Sequence, residues 1–186
     1  MGRPGAPRGQ VRDRVVAAAL ELFSERGVSG TSLQMIADRL GIGKASVYYQ
    51  FKTKDDIIQA VLTPAFEQIR HVVAEAEASP LPQETIIVGL ASLVIAHREA
   101  IAALNHDPEV HRFVESHPEV SVLILKLEQI LLGPAPDARR RVAASLLGAG
   151  LASVGIDPNL ADIDKETLHR ELVDLGRTLL QVGVKD

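Results

Sequence analysis

The 186-residue chain contains no cysteine and no tryptophan. Without thiols there can be no disulfide framework, no thiolate zinc ribbon and no cysteine nucleophile. Aromatic residues make up only 3% of the chain. No stretch reaches the roughly 18 consecutive apolar residues of a membrane span, so no membrane partner is expected. Met1 to Arg14 carries Arg3, Arg8, Arg12 and Arg14 without the apolar core of a secretory signal, and a cytoplasmic location is the expectation. Enzyme signatures are missing as well: there is no nucleophile elbow, phosphate loop or helical His-Glu pair for zinc. The histidines, His97, His106, His111 and His117 among them, are scattered. Neither catalysis, a metal nor a cofactor is expected.

What is present is ordinary for a folded protein, with 46% hydrophobic and 24% charged residues. The net charge of −4 hides an asymmetry. Residues 1–54 hold nine Lys/Arg against four Asp/Glu, a net +5, and residues 55–186 hold eleven against twenty, a net −9. A basic front on an acidic remainder suggests that the front meets a polyanion.

Residues 1–10 contain Gly2, Pro4, Gly5, Pro7 and Gly9 and read as a flexible basic arm. Val11, Val15, Ala19, Leu22 and Phe23 recur at helical spacing up to Gly27. Thr31 and Ser32 offer an N-cap to a second stripe, Leu33, Ile36, Ala37 and Leu40, which Gly41 stops. A third short helix follows over 44–50. Two short helices joined by a Gly-containing turn make a helix-turn-helix. Further helices are predicted over 53–78, 83–105, 108–117, 118–132, 137–154 and 166–182, separated by Pro-rich breaks such as Ser79-Pro80-Leu81-Pro82 and Gly133-Pro134-Ala135-Pro136. Nothing alternates with period two for long. The expected fold is all-α with about nine helices: the arm at 1–10, a three-helix helix-turn-helix domain at 11–54 and a helical ligand-binding and dimerisation domain at 55–186.

In the helix-turn-helix, Ile36, Ala37, Leu40, Val47 and Phe51 suit packing between the helices. That leaves Lys44, Ala45, Ser46, Tyr48 and Tyr49 on the open face of the third helix. A major groove admits one helix, and the N-terminal residues of that helix meet base edges. Lys and Tyr donors, with helix-terminal amides, suit phosphate oxygens. Both tyrosines of the chain stand side by side here.

The pattern Thr31-Ser32-Leu33, Ile36-Ala37, Gly41-Ile42, Lys44, Val47-Tyr48 and Phe51-Lys52-Thr53-Lys54 resembles the tetracycline-repressor (TetR) family of bacterial regulators, over about residues 11–62. The resemblance implies a homodimer whose two recognition helices enter successive major grooves of a near-palindromic double-stranded operator, most often as a repressor; the alternatives on the same fold are an activator or a ligand-independent DNA-binding or architectural protein. By position it implies that Thr31 and Ser32 donate to phosphate and that Lys44, Ala45, Ser46 and Tyr48 face the groove. Tyr49 would lean on phosphate and Lys54 would clamp the backbone. Arg3 and Arg8 of the arm are candidates for the adjacent minor groove. Gly43 stands where the family often has a capping Ser or Thr, and Ala45 where Gly is common.

The resemblance also implies a small-molecule effector bound among the middle helices, with release of the operator as the response. These helices are rich in Leu, Ile, Val and Ala, so an apolar ligand is expected, and Phe66, Ile69, Leu93, His97, Leu104, Phe113 and Leu123 are the candidate lining. The last two long helices carry the candidate dimer surface: Val142, Leu146 and Ala149 on one, and Leu168, Leu172, Leu175 and Leu179 on the other.

Overall fold

The computed structural model describes residues 8–104, 107–154 and 157–181. Among these residues there is no strand, and the all-α fold expected from the sequence is what is found. The helices are α1 (Arg8–Arg26), α2 (Leu33–Leu40), α3 (Lys44–Gln50), α4 (Lys54–Ala78), α5 (Pro82–Ala96), α6 (Arg98–Leu104), α7 (Pro108–Ser116), α8 (Pro118–Leu132), α9 (Ala138–Val154) and α10 (Lys165–Leu180). A short 3-10 turn covers Pro158–Leu160.

Two expectations need correction. The helix predicted over 83–105 is two helices, α5 and α6, bent by 80° at His97. No proline or glycine marks the corner. The His97 amide still reaches the Leu93 carbonyl at 2.9 Å, and the ring is tied to Gln68 Oε1 of α4 at 3.0 Å. The second correction is at the start, where helix α1 begins at Arg8 rather than after residue 10. One glycine, Gly9, costs a helix only about 1 kcal/mol, so the helix that carries the apolar stripe from Val11 onward extends back through it. Arg3 lies outside the described residues.

Packing divides the chain into two compact units. The first comprises residues 1–63 together with 103–113, and the second comprises 64–102 with 114–186. The segment 103–113, expected in the ligand-binding half, thus packs with the helix-turn-helix.

In the first unit, Val15, Ala19, Leu22 and Phe23 of α1 meet Ile36 and Ala37 of α2 and Val47 of α3 in a closed apolar core. Gly27 ends α1 at φ 74°, and Gly41 ends α2 at φ 63° with its amide on the Ala37 and Asp38 carbonyls. Both are left-handed positions that favour glycine. Arg39 of α2 reaches back to Glu21 at 3.1 Å and to Glu25 at 2.7 Å, fastening α2 to α1.

In the second unit, α5 is the central element, with Ile86, Ile87, Ala91 and Val94 buried. Around it lie Val72, Val73 and Ala76 of α4, Leu123 and Leu131 of α8, Ala143, Leu147 and Leu151 of α9, and Leu168, Leu172 and Leu180 of α10. Helix α10 approaches α5 closely because position 176 is glycine: a Cβ there would come within 2.8 Å of Ile87. Among the described residues no single helix is long and apolar enough to cross a membrane.

Candidate nucleic-acid interface

Helix α3 has only seven residues, and its inner side is fixed by two anchors. Val47 is fully buried, and Phe51, which closes the helix, lies beneath the Arg12 guanidinium at 4.4 Å from the ring centre. With these turned inward, Lys44, Ala45, Ser46, Tyr48 and Tyr49 all face solvent. Tyr48 is 40% exposed and Tyr49 68%, unusual for the only two tyrosines of a chain so poor in aromatics. The Lys44 ammonium stands 5.4 Å from the Tyr48 ring centre, so cation and ring form one surface feature. Gly43 precedes the helix without a side-chain cap, leaving the first amides of α3 unclaimed by a side chain.

Ser32 is exposed and caps α2, accepting the Met35 amide at 3.3 Å. Thr31 does not stand where the sequence placed it. Its side chain is only 3% exposed, and its hydroxyl donates to the Gly27 carbonyl at 2.8 Å. It closes the α1–α2 turn and is not free to meet a phosphate.

Lys54 is likewise turned inward. Its ammonium donates to the Val28 carbonyl at 3.0 Å and pairs with Glu109 at 2.8 Å. The start of α4 is instead shaped by a capping box: Thr53 Oγ accepts the Asp56 amide at 3.1 Å, while Asp56 accepts the Thr53 amide at 3.0 Å and that of Lys52 at 2.7 Å. The Thr53 and Lys52 amides outweigh partial burial and hold the Asp56 carboxyl below its ordinary range. The Thr-x-x-Asp spacing was readable in the sequence.

Asp107 is the residue that the sequence reading missed. One carboxylate oxygen accepts the Val28 amide at 2.8 Å and the Ser29 amide at 3.2 Å. The other accepts the Glu109 amide at 2.9 Å and the Ser29 hydroxyl at 3.2 Å. Burial pushes this carboxyl up, but the Glu109, Ser29 and Val28 amides together outweigh it and hold the group below its ordinary range. Asp107 and Lys54 therefore satisfy both backbone groups of the buried Val28. Asp107 before Pro108 signals a helix cap in the sequence; its reach across 79 residues does not.

The second unit contains an apolar groove of about 690 Å³ between α5, α6, α8 and α9. It is lined by Leu90, Leu93 and Val94, by Ile101, by Ile124, Leu127, Leu131 and Leu132, and by Ala144, Leu147, Gly148 and Leu151, with Glu128, Arg141 and Ser145 as its polar members. Of the candidate pocket residues only Leu93 lines it. Leu104 and Phe113 belong to the core of the first unit, and Leu123 packs in the core of the second. Ile69 packs against that core, and Phe66 is half-buried. His97 is held on Gln68, and burial pushes its imidazole below the ordinary value. His106 lies outside the described residues, among which no cluster of three metal-ligating side chains occurs.

The candidate dimer residues separate into two sets. Val142, Leu146, Ala149, Leu175 and Leu179 are exposed. Leu168 and Leu172 are buried in the core of their own unit and are not available to a partner.

Residues 15–61 match the model of the tetR family of bacterial regulatory proteins. Over 103 residues the chain is 35% identical to an HTH-type transcriptional regulator of Saccharopolyspora erythraea, a match covering 50% of this chain and 42% of the relative. Over 63 residues it is 35% identical to IcaR of Staphylococcus aureus, the negative transcriptional regulator of the biofilm operon icaADBC, a match covering 34% of each. The chain thus spans less than half the length of these curated relatives. The fold is similar to that of NalD, the secondary repressor of the MexAB-OprM multidrug efflux pump in Pseudomonas aeruginosa, with TM-score 0.68 and 23% identity over 95% of this chain and 98% of that one. It is also similar to a TetR-like regulator from a Rhodococcus species, with TM-score 0.67 and 23% identity over 94% and 98%.

Proposed function

We propose that the chain, whose residues 15–61 match the tetR family model, is a homodimeric, effector-released repressor of a near-palindromic DNA operator, acting in the cytoplasm. The observation that carries the reading is helix α3, whose inward anchors leave Lys44, Ala45, Ser46, Tyr48 and Tyr49 on one exposed surface. A helix so presented fits a major groove. The basic charge of residues 1–54 supplies the sequence-independent attraction to phosphate. The exposure of Ser32 at the start of α2 supports a contact in which its hydroxyl donates to a DNA phosphate.

The dimer is supported by the exposed apolar pairs Val142 and Leu146 on α9 and Leu175 and Leu179 on α10. Two such helices from each protomer form a four-helix bundle about a two-fold axis. That symmetry sets half-sites one helical turn of DNA apart, about 34–36 Å. The effector site is the groove bounded by α5, α6, α8 and α9, and its open volume favours a ligand-responsive regulator over a ligand-independent DNA-binding role. Coupling runs through the chain itself. Helix α4 gives its first ten residues to one unit and the rest to the other, and the segment 103–113 comes from between elements of the second unit. An effector that favours one state by about 1–3 kcal/mol changes operator affinity 5- to 150-fold.

The test is selection of binding sequences from a random DNA library, followed by affinity measurement at two salt concentrations. A palindromic winner with a steep salt slope is expected. Lys44→Ala weakens binding to all sequences and lowers the slope, whereas Tyr48→Ala changes sequence preference. Enrichment of no sequence, or unchanged binding by both variants, sinks the proposal.

A further inference from the structure

Fifteen residues line the groove of the second unit, and none is aromatic. A flat ring or an organic cation finds no stacking partner there and no π face. Twelve of the fifteen are aliphatic, alanine or glycine, so the binding energy on offer is apolar area without direction. The groove is also elongated. Arg141 and Leu151 both line it from α9, ten residues apart, which at helical rise is about 15 Å.

The polar groups are unevenly placed along that length. Arg141 lies one turn into α9, Glu128 lies one turn before the end of α8, and the loop 133–137 joins those two ends. Ser145 follows Arg141 by one turn. Ile101, Gly148 and Leu151 bring no polar side chain to the rest of the wall. The head end is therefore near the α8–α9 loop and the tail end is aliphatic.

At the head end the groove carries one cation, Arg141, and one carboxylate, Glu128, and the positive end of the α9 dipole lies on the side of the cation. Arg141 stands in the first turn of α9, whereas its neighbours Arg139 and Arg140 line a separate cavity with Asp137, Leu179 and Leu180. Arg141 forms no ion pair among the described residues, so its guanidinium is available to a head group. The carboxylates nearby are Glu128 in the groove wall and Asp137, which already accepts the Arg140 amide at 2.8 Å.

We infer that the effector of this site is an anionic amphiphile: a long unbranched aliphatic chain lying along α8 and α9, with its acidic head group on Arg141. This rests on the groove being the effector site of the proposed regulator. Glu128 opposes the head group and sets a limit on affinity, so the two charged residues have opposite effects on binding.

The inference is tested by titration calorimetry of the full chain with dodecanoate, dodecyl phosphate, dodecanol, dodecyltrimethylammonium and ethidium, all below micelle formation. The two anions are expected to bind most tightly, and comparison between them distinguishes a carboxylate from a phosphate head. Shortening the chain weakens binding by about fourfold per methylene removed, the equivalent of 0.8 kcal/mol. Arg141→Ala lowers anion affinity tenfold or more without affecting dodecanol, and Glu128→Gln raises it. Gly148→Leu fills the groove, since a Cβ at Gly148 meets nothing within 4 Å, and abolishes binding with helical content and melting temperature unchanged. Tighter binding of ethidium or the ammonium, no dependence on chain length, or indifference to Arg141→Ala each overturns the inference. Operator selection is read separately. A specific operator with no amphiphile binding removes the ligand class and leaves the regulator, and amphiphile binding without any operator does the reverse.

Discussion

Removing the Asp107 carboxylate exposes how the first unit is held together. In Asp107→Ala, four hydrogen bonds go at once, but they are not equal. The Ser29 amide and hydroxyl are exposed and turn to water. The Val28 amide belongs to a residue with no exposed surface, and it loses its acceptor. A buried donor left without a partner costs about 1–3 kcal/mol, and that orphan dominates the balance. For a chain of this size the change corresponds to a fall in melting temperature of roughly 2–12 °C. Because the molecule comprises two compact units, hydrogen exchange at the Val28 and Ser29 amides gives the sharper readout, with faster exchange expected at both. Asp107→Asn keeps one carbonyl oxygen for the amides and costs less than alanine.

The acid behaviour follows from the same contacts. The folded-state value of Asp107 lies below its unfolded value, near 3.9. Its contribution is therefore complete above that pH and disappears as pH falls through the folded value. Wild type is expected to be more stable than Asp107→Asn at neutral pH, with the difference closing below about pH 4. An alanine variant that melts with wild type and exchanges Val28 no faster refutes the reasoning.

Lys54→Ala loses a partly buried ammonium from the Val28 carbonyl and Glu109, so it lowers the melting temperature; a variant with wild-type melting but uniformly weaker DNA binding restores the phosphate-clamp role. Leu146→Asp with Leu175→Asp yields a folded monomer by sedimentation, whereas Leu172→Asp unfolds the second unit, because Leu172 is 8% exposed and Leu175 is 59%. A dimer surviving the double substitution would falsify the α9–α10 interface. His97, held below its ordinary value by burial, binds more protons when unfolded, so acidification below about pH 6.5 destabilises the chain, and His97→Gln flattens that part of the stability profile measured by urea titration.

The first unit was legible because its signals are local. Gly27 and Gly41 mark helix ends by the backbone they require, and the stripes of α1 and α2 are narrow enough to point one way. The inward turn of Thr31 and Lys54 was not legible, since both depend on where Gly27, Val28 and Glu109 come to rest. In the second unit the signal fails for a different reason. Helix α5 is apolar on nearly every side, so no face is marked and the groove lining cannot be picked out by composition. The corner at His97 has no breaker in the sequence; what marks it is the ring's hold on Gln68, 29 residues away in the chain.

Helix α10 shows most clearly how a correct periodicity gives a wrong face. Leu168, Leu172, Leu175 and Leu179 form an unbroken leucine stripe, yet the row that buries is Leu168, Leu172, Gly176 and Leu180. Packed helices interlock along rows spaced by four, and such a row drifts around the axis instead of following the alternating steps of four and three. The drift passes through a glycine, which a hydrophobicity pattern does not count, although its missing side chain is what lets Ile87 of α5 approach. Leu175 and Leu179 are left on the outer edge, alongside Val142 and Leu146, whose own helix buries the row Ala143, Leu147 and Leu151 by the same geometry. Once one row on each helix is committed to the monomer core, the leftover leucines and valine stay exposed, and these are the residues that the proposed dimer would cover.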